Sequence, residues 1–295
     1  SSTADRDTLF VLERERLVEG AVTILAPTYR RNLALTLSAG MIWEHLSLLE
    51  VDLQPSSEYR PTRPSRRYAD FGASLNFNSS RTHSFQMGTA RGLSAFVRGR
   101  VQNELSVPES LPGTDRSVRE VYGRVRGALP LGGGGFATHV VAVQASGGIA
   151  SGPGAGPFYY RVGGASGRSE DVTGLELFGG NAQFFPARGY DTSSRTGRYA
   201  WAASAEYRFP LWLVNQGFRA WPFHVDRAIG SVFFDAGNAW GPEDSPGQPI
   251  ASVGAEVTSE FLLFYDIQLR LRLGYAFRLV QGTGDELYLR VGLPF

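Results

Sequence analysis

The chain has 295 residues, enough for one large β domain or two ordinary ones, and it contains no cysteine, which excludes a disulfide framework and a thiolate metal site. A formal net charge of +1 gives no bulk electrostatic case for binding nucleic acid. No stretch approaches the roughly 18 consecutive apolar residues that a membrane helix requires, whereas a membrane-spanning β-strand needs only every second residue to be apolar.

The 29 basic side chains are all arginine, which reads mainly as a coding bias, with a minor role for the planar fork that suits pairing with carboxylates in a crowded lumen. Residues Ser1 to Asp7 are polar and no apolar signal core follows them, as expected of a mature or excised piece. Strand-length segments of alternating pattern then begin at 17–26, with 8–16 as a further candidate strand, and resume at 33–44 after a turn over Pro27 to Asn32. In 33–44, Leu33, Leu35, Leu37, Ala39, Met41 and Trp43 share one face, opposite Ala34, Thr36, Ser38, Gly40 and Glu44. Apolar residues on one side and small or polar ones on the other describe a strand between lipid and a wet lumen.

A Pro/Arg/Ser-rich loop over 54–66 precedes strands near 67–78 and 83–102, and a second long loop over 104–115 precedes strands near 117–129 and 136–150. The last two are joined by a glycine-rich turn, Pro130 to Gly135. Long and short connections thus alternate, as in barrels with long outer loops and short periplasmic turns. Residues 151–197 break the rhythm with a Gly-rich stretch far longer than the usual ~2–6 residue connection, which marks it as a working part.

Strands follow near 198–211, 227–240, 250–262, 266–280 and 286–295, with an aromatic-rich connection at 211–226 that fits an interfacial girdle. In 266–280, Ile267, Leu269, Leu271, Leu273, Tyr275, Phe277 and Leu279 oppose Gln268, Arg270, Arg272, Gly274, Ala276 and Arg278. A face with three arginines must be wet or paired. The last strand places Leu287, Leu289, Val291, Leu293 and Phe295 on one side and Tyr288, Arg290, Gly292 and Pro294 on the other. The expected fold is all-β: an antiparallel transmembrane β-barrel of about 12 strands, alone or as part of one of about 16, with a long lumen-folding loop. One domain, 1–295, is expected, with no periplasmic repeat domain in it.

Three short elements stand out in order: Ala187-Arg188-Gly189-Tyr190 in the long loop, Ala205-Glu206-Tyr207-Arg208-Phe209-Pro210 in the next strand, and Phe233-Phe234-Asp235-Ala236-Gly237-Asn238 in the one after. Together they resemble the signature of the BamA and two-partner-secretion transporter superfamily, the Gram-negative barrels also called bacterial surface antigens. The resemblance covers about residues 174–295 and thins to strand rhythm before about 150. It implies that the loop folds back into the lumen and that Arg188 meets Asp235, with Phe233 beside it and Glu206 and Arg208 on the neighbouring strand. Parity agrees, since Phe233 and Asp235 share a face, as do Glu206 and Arg208. Ala187 stands where the family often has Val.

The resemblance further implies an outer-membrane barrel that inserts or translocates proteins. Its partners would be outer-membrane lipid, unfolded or barrel-precursor substrates, and periplasmic domains upstream. It also implies a weak seam at the last strand, with Gly292 as a kink beside Leu293 and Phe295. Two other readings are a passive pore or membrane anchor, and a soluble β-sandwich that would bury the apolar faces of 266–280 and 286–295. No catalytic or cofactor site is expected: His45, His83, His139 and His224 lack metal-ligand spacing, and Ser84 beside His83 would face the opposite side of a strand.

Overall fold

The computed structural model describes residues 10–49, 65–82, 86, 88–106, 115–132, 135–156, 159–164, 184–191, 193–217, 223–264, 267–280 and 285–292. Every regular element among them is a strand. In chain order these are β1 (Phe10–Thr28), β2 (Arg31–Leu49), β3 (Ser65–Asn78), β4 (Gly92–Ser106), β5 (Val118–Gly132), β6 (His139–Ser151), β7 (Tyr160–Val162), β8 (Phe184–Phe185), β9 (Arg195–Gly197), β10 (Tyr199–Gly217), β11 (Phe223–Trp240), β12 (Ile250–Leu263), β13 (Ile267–Arg278) and β14 (Asp285–Gly292).

Eleven strands make one antiparallel sheet in the order β1-β2-β3-β4-β5-β6-β10-β11-β12-β13-β14, so each strand pairs with the next long strand along the chain. The remaining three, β8-β7-β9, form a small sheet built from the long connection between β6 and β10. The segment 8–16 is not an additional strand: from Phe10 it runs straight into 17–26 as β1, paired with β2 without a break, because no turn residue interrupts it. Of the expected strand 83–102, residues 83–85 and 87 lie outside the described residues, and β4 starts at Gly92, just past an isolated bridge between Arg81 and Arg91. The aromatic connection 211–226 is shorter than expected. β10 continues to Gly217 and β11 starts at Phe223, with register shifts near Pro210, Leu213 and Val225 absorbing the irregularity.

The two faces of the large sheet are opposite in character. Leu37, Phe71, Val97, Val125, Phe234, Val257, Leu273 and Leu289 are exposed on one face, while Tyr68, Asp70, Gln102, Glu120, Asp235, Ser252 and Glu256 are buried on the other. A soluble protein rarely leaves so continuous an apolar face in water. Lipid outside and a polar lumen inside account for the inversion. The sandwich reading required covered apolar faces on β13 and β14, yet Leu273, Tyr275, Leu287 and Leu289 are all exposed.

The interior packing comes from the long connection. Tyr160, Val162 and Phe185 are fully buried and pack with Val118, Tyr122, Ala200, Ala202, Ala239 and Ile250 of the wall. Tyr160 and Phe185 meet edge to face with centroids 5.4 Å apart, and Phe185 meets Tyr122 at 5.8 Å. Val162 occupies the space over Gly237, where a Cβ would lie 2.8 Å from its Cγ1. Small wall residues therefore make room for the loop's large ones.

Candidate functional site

Register fixes what the tip of the long connection can touch. Across the wall, Ser204, Asp235, Ser252 and Arg278 form one row of cross-strand neighbours, and Glu206, Phe233, Gly254 and Ala276 form the next. These positions share the lumen face because each strand contributes residues two apart. Arg188 and Gly189 lie on both rows.

The Arg188 guanidinium grips Asp235 as a fork, with Nε 2.7 Å from Oδ2 and Nη2 2.8 Å from Oδ1. Its backbone N–H also donates to Asp235 Oδ2 at 3.1 Å. Nη1 reaches Glu206 Oε1 at 2.7 Å, and Nη2 donates to Ser204 Oγ at 3.1 Å. The Ser204 hydroxyl in turn donates to Asp235 Oδ1 at 2.6 Å. One flat side of the guanidinium covers the Phe233 ring, with Cζ 3.6 Å from its centroid. Glu206 is shared, since its Oε2 accepts from Arg208 Nε at 2.8 Å and Nη2 at 2.5 Å.

Two cations and two carboxylates thus close a neutral set whose inner pair is out of water: Arg188 is 8% exposed and Asp235 2%, while the Arg208 and Glu206 side chains stay partly exposed. Burial alone would weaken the charge on Arg188, but the Asp235 hydrogen bonds and the nearby charges of Glu206 and Asp235 outweigh it and hold its pKa above the ordinary arginine value. Forked, charge-assisted contacts of this kind are stronger than neutral ones and specify orientation.

The next two residues extend the hold to β12 and β13. Gly189 has φ +87°, and a Cβ there would sit 2.9 Å from Ala276 Cβ, so only glycine fits both the backbone conformation and the space. The Ser252 hydroxyl donates to the Arg188 carbonyl at 2.5 Å, and Arg278 Nε donates to the Gly189 carbonyl. Tyr190 is buried, and its hydroxyl lies between the backbones of Ala251 and Val280. It is 2.8 and 2.5 Å from their carbonyls, either of which can take its one proton, and it accepts their amides at 3.3 and 3.4 Å. The Arg-Gly-Tyr tip therefore ties four adjacent strands, β10 to β13, to the loop.

All seven residues singled out as a loop-to-wall set lie together. Ser204, Ser252 and Arg278 belong with them and were not singled out, although each shares a lumen-facing row with a residue that was. Arg227, on the same face, stands apart and pairs with Asp226 and with Glu260 at 3.6 Å. Gly292 is the last described residue of β14 and pairs with Arg270 in unbroken register. Leu293 and Phe295 lie outside the described residues.

Fold and interior together define an antiparallel β-barrel of the outer-membrane type, with a long connection docked on the inside of its wall. Among solved structures, that of BamA from Haemophilus ducreyi lacking POTRA domains 1-3 is similar over 95% of this chain, with a TM-score of 0.56 and 17% identity. This chain spans 54% of that one. At that identity the likeness concerns the fold. No family model matches the chain, and no curated protein does.

Proposed function

We propose that this chain is the barrel of an outer-membrane protein insertase or translocase of the BamA and two-partner-secretion kind, and that Arg188, Gly189, Tyr190, Glu206, Arg208, Phe233 and Asp235 lock its internal loop to the wall. The observation that carries the reading is the Arg188–Asp235 fork, with Nε and Nη2 at 2.7 and 2.8 Å from the two carboxylate oxygens, on a BamA-like barrel. A braced loop stiffens one side of the wall, β10 to β13, and leaves strand exchange to the neighbouring edge at β14. Substrate strands would add there by main-chain pairing. Lipid and unfolded or barrel-precursor proteins are the partners of this reading, the location is the bacterial outer membrane, and the chemistry is non-covalent.

A photo-crosslinking residue at Leu287 or Leu289, compared with one at Leu37, tests this in full-length protein supplied with a barrel precursor. Crosslinks concentrated at β14, and lost in Arg188→Ala and Arg188→Lys alike, are expected, because lysine cannot form the fork. Equal or no crosslinking at both places would favour the second reading, a passive pore or anchor. That reading draws on the charged, water-compatible inner face.

A further inference from the structure

On the outward face of β1, β3 and β5, the apolar residues give way to cations at the end where the long connections leave. Arg67 is exposed between buried Arg66 and Tyr68, and Arg119 is exposed between buried Val118 and Glu120, so both point away from the lumen. Arg16 of β1 is exposed too, and register sets it opposite half-buried Trp43, which in turn stands opposite Arg67. Arg16, Trp43 and Arg67 are therefore one row on one face of the sheet, the face that carries exposed Val18, Met41 and Phe71.

Beyond these residues the same face carries no charge: every second position over 18–26 of β1, 69–77 of β3 and 121–129 of β5 is Val, Ile, Leu, Phe, Ala or Gly. From Arg67 to Phe77 the chain runs about 33 Å along the strand, or about 25 Å of height at a tilt of about 40°, which matches the apolar band of a membrane barrel. The three arginines thus stand at headgroup level, where a long basic side chain lays its stem on apolar surface and its charge in the polar zone. Trp43 is the amphipathic ring that such an interface favours. Among the described residues no carboxylate pairs with Arg16, Arg67 or Arg119, whereas Arg188 and Arg208 inside the barrel meet Asp235 and Glu206.

We infer that Arg16, Arg67 and Arg119, with Trp43 between the first two, form a lipid-phosphate site on the outside of the barrel that selects anionic headgroups of the outer leaflet. Positive charge meets negative phosphate there while the acyl chains lie on the apolar files of β1, β3 and β5. The inference rests on the membrane-embedded part of the proposed function, names its lipid partner by charge, and does not depend on protein transport. The test is native mass spectrometry of the purified full-length protein in detergent, titrated with phosphatidylglycerol or with phosphatidylcholine of the same acyl chains. Phosphatidylglycerol is expected to bind about tenfold or more tighter, with the preference kept in Arg16→Lys/Arg67→Lys/Arg119→Lys, lost in the corresponding Gln variant and weakened by salt.

Should the triple Gln variant not fold, Arg67→Gln alone must still lower the preference. Equal binding of the two lipids by the wild type, or a preference unmoved by the Gln changes, would overturn the inference. So would displacement of the lipid by inorganic phosphate beyond that by chloride at matched ionic strength, since the ligand would then be the free anion. The titration contains no precursor, so a protein that prefers phosphatidylglycerol but gives no precursor crosslinks leaves this inference standing. One that crosslinks precursors without the lipid preference overturns this inference alone.

Discussion

Arg188 is held by three kinds of contact at once: a fork to Asp235, a second carboxylate at Glu206, and an aromatic face at Phe233. Such redundancy fixes direction as well as energy, because rotating the guanidinium to improve one contact breaks another. Gly189 is the more fragile partner. With φ +87° and Ala276 Cβ 2.9 Å from where its own Cβ would lie, Gly189→Val is expected to lift the tip from the wall although no charge changes. The cost should be about 2 kcal/mol or more, from the strained backbone and the overpacked contact. Urea unfolding in vesicles checks this, and a loss indistinguishable from zero would mean that the tip does not need its close approach. Arg188 and Asp235 were legible as residues because their motifs stand in a known order. Ser204 and Ser252 were not, because a serine on a lumen face has no distinctive pattern until register places it beside a carboxylate or a free carbonyl.

At the scale of elements, pairing on the β11–β14 side relies on aromatic rings laid over cross-strand glycines. Phe233 lies opposite Gly254, and Tyr288 opposite Gly274, where an added Cβ would meet the Tyr288 ring at 2.2 Å. Tyr288 also donates to Glu256 Oε2 at 2.9 Å, tying β14 across β13 to β12. A ring over a glycine covers backbone that would otherwise be bare, and it pins register. Gly274→Val should therefore displace Tyr288, break its bond to Glu256 and cost about 1–3 kcal/mol. In a Tyr288→Ala background the same change should be nearly neutral, and equal costs in both backgrounds would refute the pairing. Alternation made the long strands readable in sequence, β13 above all. The small sheet β8-β7-β9 was not, because strands of two and three residues are too short for a period to register and owe their existence to contact with the wall. The boundaries of β10 and β11 were misplaced for a related reason: aromatic residues suggest an interface, but the chain keeps its ladder there through bulges.

For the whole molecule, the apolar face outside and the charged face inside require a bilayer around the sheet. Leu37 lies on the exposed face, and its neighbour Thr36 on the lumen side. Leu37→Arg is expected to weaken folding into phospholipid vesicles by about 2–4 kcal/mol if it lies near the midplane, and Thr36→Arg by clearly less. Equal penalties would mean that the two faces do not meet different solvents. The central claim joins all three scales: a loop clamped by Arg188 to Asp235 braces the wall of the barrel. A double-mutant cycle of Arg188→Ala and Asp235→Ala, read by reversible unfolding in vesicles, tests it most directly. The account predicts that either single change is strongly destabilising, that the second adds little, and that the coupling energy is at least about 2 kcal/mol. Additive effects, with coupling under about 0.5 kcal/mol, would show that the fork does not hold the loop to the wall.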